Sequence, residues 1–135
     1  MSKIKLPAKI GSLVELIQFV TKNAERLQFS QKRIQEIQLA VEEALVNIFH
    51  YAFPEGGGEV EVTCRQDEMN KFIIEIEDTG IAFDVLSVSD PDIHADISDR
   101  KEGGLGIYLI KKMVDDVRYR REGDRNILTF TLNRE

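Results

Sequence analysis

Three short stretches of this sequence set polar groups against an apolar pattern, and each could do chemistry. Glu43 and Asn47 are four residues apart, so a helix carries them on one side, bordered by Leu39, Ala40 and Val46. That arrangement fits an acid and an amide lining a cavity, and equally a solvated face with stray apolar neighbours. In Phe72-Ile73-Ile74-Glu75-Ile76-Glu77-Asp78, the strand period of two puts Asp78 in phase with Phe72, Ile74 and Ile76. A carboxylate on that side needs a donor, because burying it unpaired is costly. Gly80, two residues on, allows close backbone approach, although Asp-Thr-Gly is also an ordinary turn sequence. Gly103-Gly104-Leu105-Gly106 opens a helix, where free N–H groups and the helix dipole favour a phosphate. A hinge for the preceding loop would use the same glycines.

The elements that must position these groups follow from periodicity. Residues 3–9 alternate apolar and polar as a short edge strand, the one sheet position that suits Pro7. Ser12 and Glu15 read as a capping box before a helix with the stripe Leu13, Leu16, Ile17, Val20, Ala24 and Leu27. Ser30 caps a second helix, whose stripe is Ile34, Ile37, Val41, Ala44, Leu45, Ile48 and Ala52. Pro54 and Gly56-Gly57-Gly58 stop it. Strands are predicted over 59–65 and 71–77. Residues 84–103 then carry few apolar side chains and six acids (Asp84, Asp90, Asp92, Asp96, Asp99 and Glu102). A compact domain rarely holds such a loop unless it is a lid, a binding loop or disordered. The last helix turns Ile107, Ile110 and Val114 inward, and 117–121 with 127–132 form a hairpin around Glu122-Gly123-Asp124. This order predicts an α+β fold, a two-layer α/β sandwich with helices on one face of a mixed, mainly antiparallel sheet.

Composition narrows the function. The chain has 135 residues, 18 basic and 24 acidic, for a net charge of −6, which argues against a direct nucleic-acid module. No apolar run approaches the roughly 20 residues a membrane span requires, and the first residues lack a signal-peptide pattern. Cys64, the single cysteine, excludes an intramolecular disulfide and a cysteine-based metal site. A cytoplasmic domain spanning 1–135 is the expectation. There is no Gly-x-x-x-x-Gly-Lys-Ser/Thr, and no strand runs directly into the glycines as a Rossmann fingerprint needs.

In this order the three stretches resemble the GHKL ATPase superfamily, which has the Bergerat fold. Glu43-Ala44-Leu45-Val46-Asn47 is similar to its N box, Asp78-Thr79-Gly80-Ile81-Ala82-Phe83-Asp84 to its first glycine box, and Gly103 to Ile110 to its second. Within the superfamily the chain most resembles stand-alone anti-sigma-factor serine-protein kinases. The resemblance implies that ATP and Mg²⁺ are bound, with Asn47 on the metal and Glu43 as general base. It implies that Asp78 accepts a hydrogen bond from the adenine amino group while Gly80 lets the ring approach. Phe83 joins the nucleotide-binding set, and Gly103, Gly104, Leu105 and Gly106 cradle the phosphates. Residues 84–103 become the ATP lid. The implied substrate is a serine or threonine of an anti-anti-sigma-type protein; a sigma factor as second partner and a homodimer also follow from the relatives. The alternatives are a non-catalytic ATP-binding regulatory module and a detached histidine-kinase-type ATPase domain.

The chain departs from the family in places. His50 stands one place early for the histidine often found after the N box and reads as a helix-end residue. The threonine common in the last-strand motif falls near Asn126 or Ile127. Cys64, in phase with Val60 and Val62, reads as a buried inert thiol, and His94 has no partner at ligand spacing. Arg118, Arg120, Arg121 and Arg125 read as a solvated hairpin edge, with a docking patch for an acidic partner as the lesser reading.

Overall fold

A computed structural model of the chain describes residues 1–87 and 104–134. Five strands, β1 (Ser2–Pro7), β2 (Glu59–Gln66), β3 (Phe72–Asp78), β4 (Asp116–Glu122) and β5 (Arg125–Leu132), form one sheet in the order β1-β2-β3-β5-β4. All four pairings among the described residues are antiparallel, which meets the expectation of a mainly antiparallel sheet. Pro7 lies on edge strand β1, as its missing N–H demands. Three helices, α1 (Leu13–Arg26), α2 (Gln31–Tyr51) and α3 (Gly104–Met113), complete an α+β two-layer fold of the Bergerat type.

The period of two divides the sheet. Val60, Val62, Cys64, Phe72, Ile74, Ile76, Leu128, Phe130 and Leu132 are buried under the helices with Leu16, Val41, Leu45, Ile107 and Ile110. The opposite face is ionic, with Lys3 3.5 Å from Glu61, Arg65 3.4 Å from Glu75 and Arg125 2.9 Å from Glu77. Burial holds Cys64 inert, its pKa pushed up to about 12.

Local signals hold unevenly. Ser30 caps α2, its hydroxyl accepting from Arg33 N at 3.1 Å. Ser12 makes no such bond, so the capping box fails; a 3-10 turn over Ile10–Ser12 leads into α1 and gives Ser12 helical dihedrals. β3 runs one residue further than expected, so Asp78 pairs within the ladder opposite Val60 and Asn126. The first residues assigned to the lid belong to the body of the fold. Asp84 organises a turn, its Oδ1 accepting from Leu86 N at 2.8 Å, and Val85 is buried. The remainder, 88–103, with Gly103, His94 and five of the six lid acids, lies outside the described residues.

Arg33 ties the start of α2 to the end of α3. Its guanidinium donates to Met113 O at the end of α3 at 2.5 Å and to Asp115 Oδ2 at 2.8 Å. Asp115 Oδ2 also accepts from Asn133 N at 2.7 Å, which joins the end of β5 to the same point.

Candidate functional site

The second half of α2 supplies the first part of the site. Asn47 is buried and Glu43 half-buried, so this side of α2 is not a plain solvated face. Asn47 Nδ2 donates to the Glu43 carbonyl at 2.8 Å. This bond uses the amide's donor end inside the helix and leaves Oδ1, which accepts from no described residue, as the end on offer. Burial, and then the neighbouring charge of Glu42, raise the Glu43 pKa above the ordinary carboxylate value.

The end of β3 supplies the second part. Asp78 is only 3% exposed, and its Oδ1 accepts from Gly80 N at 2.8 Å and Asn126 Nδ2 at 2.9 Å. Its burial therefore does not wait on a ligand for a donor; the chain provides two. Oδ2 accepts from no described residue. Burial raises the Asp78 pKa, and the bonds from Asn126 and Gly80 with the charge of Arg121 act against that rise. These are three stabilisers of the carboxylate form around one group.

Gly80 has a reason beyond ligand approach. A Cβ at this position would lie 2.4 Å from the Ala52 carbonyl oxygen and 2.8 Å from Ala52 Cβ. Ile81 N donates to that same carbonyl at 3.0 Å. The loop after β3 is thus pressed onto the C-terminal end of α2, where the Tyr51 and Phe83 rings lie 5.0 Å apart. Phe83 N donates to Asn126 Oδ1 at 3.2 Å. The structure brings the Asp78–Phe83 stretch against the helix that carries Glu43 and Asn47. Gly104, Leu105 and Gly106 form the first turn of α3, which packs against α2 and buries Ile107 and Ile110. His50 is exposed at the end of α2, edge-on to Tyr51, in keeping with a helix-end role.

Sequence reasoning missed Asn126 as a site residue. It is 4% exposed and faces Asp78 across the β3–β5 ladder. The signal was available: Asn126 is in phase with Leu128, Phe130 and Leu132, as Asp78 is with Phe72, Ile74 and Ile76. Arg121 also departs from expectation. Arg118, Arg120 and Arg125 pair with Asp116, Glu122 and Glu77 on the sheet surface. Arg121 instead donates to Gly80 O at 2.9 Å and Asn126 Oδ1 at 3.1 Å. Only the hairpin register could separate it from its neighbours.

The two parts of the site each leave one side-chain oxygen without a partner among the described residues. Asp78 Oδ2 is an acceptor of the kind that pairs with an amino group, and Asn47 Oδ1 is a neutral oxygen of the kind that hard cations take. Among the described residues no group of three or more His, Cys, Asp or Glu could form a metal cage. Mg²⁺ keeps several waters and binds substrate phosphates, so a site for it needs few protein ligands. Among the described residues no helix is long and apolar enough to cross a membrane.

Comparison with known proteins agrees with the fold. Residues 6–132 match the family described as histidine kinase-like ATPase domain. The serine-protein kinase RsbW of Bacillus thuringiensis (strain Al Hakam) is 30% identical over 138 residues, covering 98% of this chain and 86% of that protein. In fold, the chain is similar to the SiaB–SiaC complex structure from Pseudomonas aeruginosa, with a TM-score of 0.68, 13% identity, and 98% and 89% of the two chains covered. The structure of the RsbU and RsbW domains of Rv1364c from Mycobacterium tuberculosis gives a TM-score of 0.62 at 13% identity. That match covers 98% of this chain and 32% of the other.

Proposed function

The chain belongs to the histidine kinase-like ATPase domain family, and from that premise we propose that it is an ATP-dependent protein kinase of the anti-sigma-factor type. Its substrate is a serine or threonine hydroxyl on an anti-anti-sigma-type protein, and a sigma factor is its second partner. The observation that carries this reading is the Asn47–Glu43 bond, which occupies the amide's donor end and leaves its oxygen available one helical turn from a carboxyl of raised proton affinity.

Each residue then has a task. Asp78 accepts from the adenine amino group through Oδ2, held by bonds to Oδ1. Asn47 Oδ1 would hold Mg²⁺, which when bound would neutralise phosphate charge. The first turn of α3, at Gly104, Leu105 and Gly106, offers N–H groups and the positive end of the helix dipole to the phosphates. Glu43 takes the proton of the incoming hydroxyl as its oxygen bonds to the terminal phosphoryl group and ADP leaves. A raised pKa makes it a stronger base than a solvated glutamate. Rate enhancement rests on positioning and charge neutralisation, as in phosphoryl transfer generally.

Incubating the purified protein with γ-labelled ATP, Mg²⁺ and a candidate anti-anti-sigma partner tests the reading. Acid-stable phosphoserine or phosphothreonine on the partner supports it. Acid-labile phosphohistidine, or tight ATP binding with no transfer, would replace it with a histidine-kinase-type domain or a nucleotide-sensing module.

A further inference from the structure

A buried asparagine amide, with two donor N–H groups and one acceptor oxygen, can organise several chain segments at once. Asn126 does this at the end of β5. Nδ2 donates to Asp78 Oδ1 and to Ile81 O, each at 2.9 Å. Oδ1 accepts from Tyr119 OH at 2.6 Å, Arg121 Nη1 at 3.1 Å and Phe83 N at 3.2 Å. The amide cannot turn over. Reversed, its oxygen would face the Asp78 and Ile81 oxygens, while its N–H groups would face the Arg121 and Phe83 N–H donors and only the Tyr119 hydroxyl could accept.

Arg121 closes the arrangement from outside. One of its nitrogens bridges Asn126 Oδ1 and Gly80 O, and its Nε reaches Gly123 O at 3.2 Å. The stretch Gly80–Phe83 has no ladder of its own, so its shape on this side is imposed by β4 and β5 side chains. The far side is fixed by Ala52.

We propose that Asn126 and Arg121 are positioning residues for base selection: they lock Asp78 with Oδ1 occupied, so that Oδ2 alone meets the nucleotide base. The lock selects a base that offers an amino N–H there and disfavours one that offers a carbonyl oxygen. This inference rests on the reading of Asp78 as the adenine contact.

The test compares ATP with ITP, which carries the same triphosphate but has a carbonyl where adenine has its amino group. Affinities are measured with Mg²⁺ by titration calorimetry on the intact chain. The unsubstituted protein should prefer ATP by about tenfold or more. Asn126→Ala should lower ATP affinity about tenfold and bring the ATP:ITP ratio close to one, because ITP loses little. Arg121→Ala, at an exposed position, should shrink the ratio about threefold, and Arg121→Lys should recover only part of it. If Asn126→Ala shows no cooperative melting, Arg121→Ala decides the matter.

Equal weakening of ATP and ITP, with the ratio kept, would overturn the lock and leave both residues merely structural. No ATP preference in the unsubstituted protein would instead remove the adenine role of Asp78. The two failures are therefore separable.

Discussion

The side-chain amide of Asn47 closes on the backbone carbonyl of Glu43 at 2.8 Å, so one helical turn of α2 fixes both where the acid stands and which end of the amide is free. An Asn in a helix interior is normally a mild liability, since its side chain competes for backbone groups. Here that competition orients the amide.

Asn47→Ala should therefore abolish the Mg²⁺ dependence of nucleotide affinity while costing only about 1 kcal/mol of stability. Calorimetric titration of ATP with and without Mg²⁺, beside urea melts, checks both. A variant that still binds ATP more tightly with the metal would contradict the ligand assignment.

Glu43→Gln should reduce phosphate transfer about 10²–10⁴-fold with ATP affinity within about threefold of the original. The same variant has a stability signature. A carboxyl whose folded pKa lies above its unfolded value holds its proton more tightly in the folded state. Its favourable contribution is present below the unfolded pKa and lost as pH rises through the folded one. Removing the charge should thus raise the melting temperature by about 1–3 °C near pH 8 and leave it unchanged near pH 4. Thermal melts at the two pH values read this directly.

Gly80→Ala should destabilise the fold by about 1–3 kcal/mol, because its Cβ would meet the Ala52 carbonyl oxygen at 2.4 Å. Chemical denaturation of the ligand-free protein is the measurement. A loss confined to nucleotide affinity, with unfolding unchanged, would return the glycine to its simpler role in ligand approach.

Arg33→Ala should cost about 1.5–3 kcal/mol by removing the charge-assisted bonds to Met113 O and Asp115. Amide hydrogen exchange should then rise first in the last turn of α3 and at the end of β5. Uniform exchange across the chain would deny the tie its local character.

Much of this was legible because two periods are hard to mistake. The 3.6-residue stripe of α2 and the alternation of β3 located the core, and each set one carboxylate against its pattern. What stayed illegible depended on strand order. β3 pairs with β5 after the chain has passed through α3 and β4, so nothing local links Asp78 to Asn126, 48 residues on. Ser12 misled because a 3-10 turn took the place of the extended N-cap geometry. Gly80 was read for its ligand because its other neighbour, Ala52, lies across a long-range contact that spacing cannot reveal.

The Ala52 carbonyl ends α2 and also receives the Ile81 N–H, which gives the protein an internal ruler. Any rotation or sliding of α2 that moved its acid and amide would carry the loop after β3 with it. The placement of the Asp78–Phe83 stretch relative to the Glu43–Asn47 turn is thereby gauged by one cylinder of backbone. A substitution that shifted one of these segments would have to recalibrate the other.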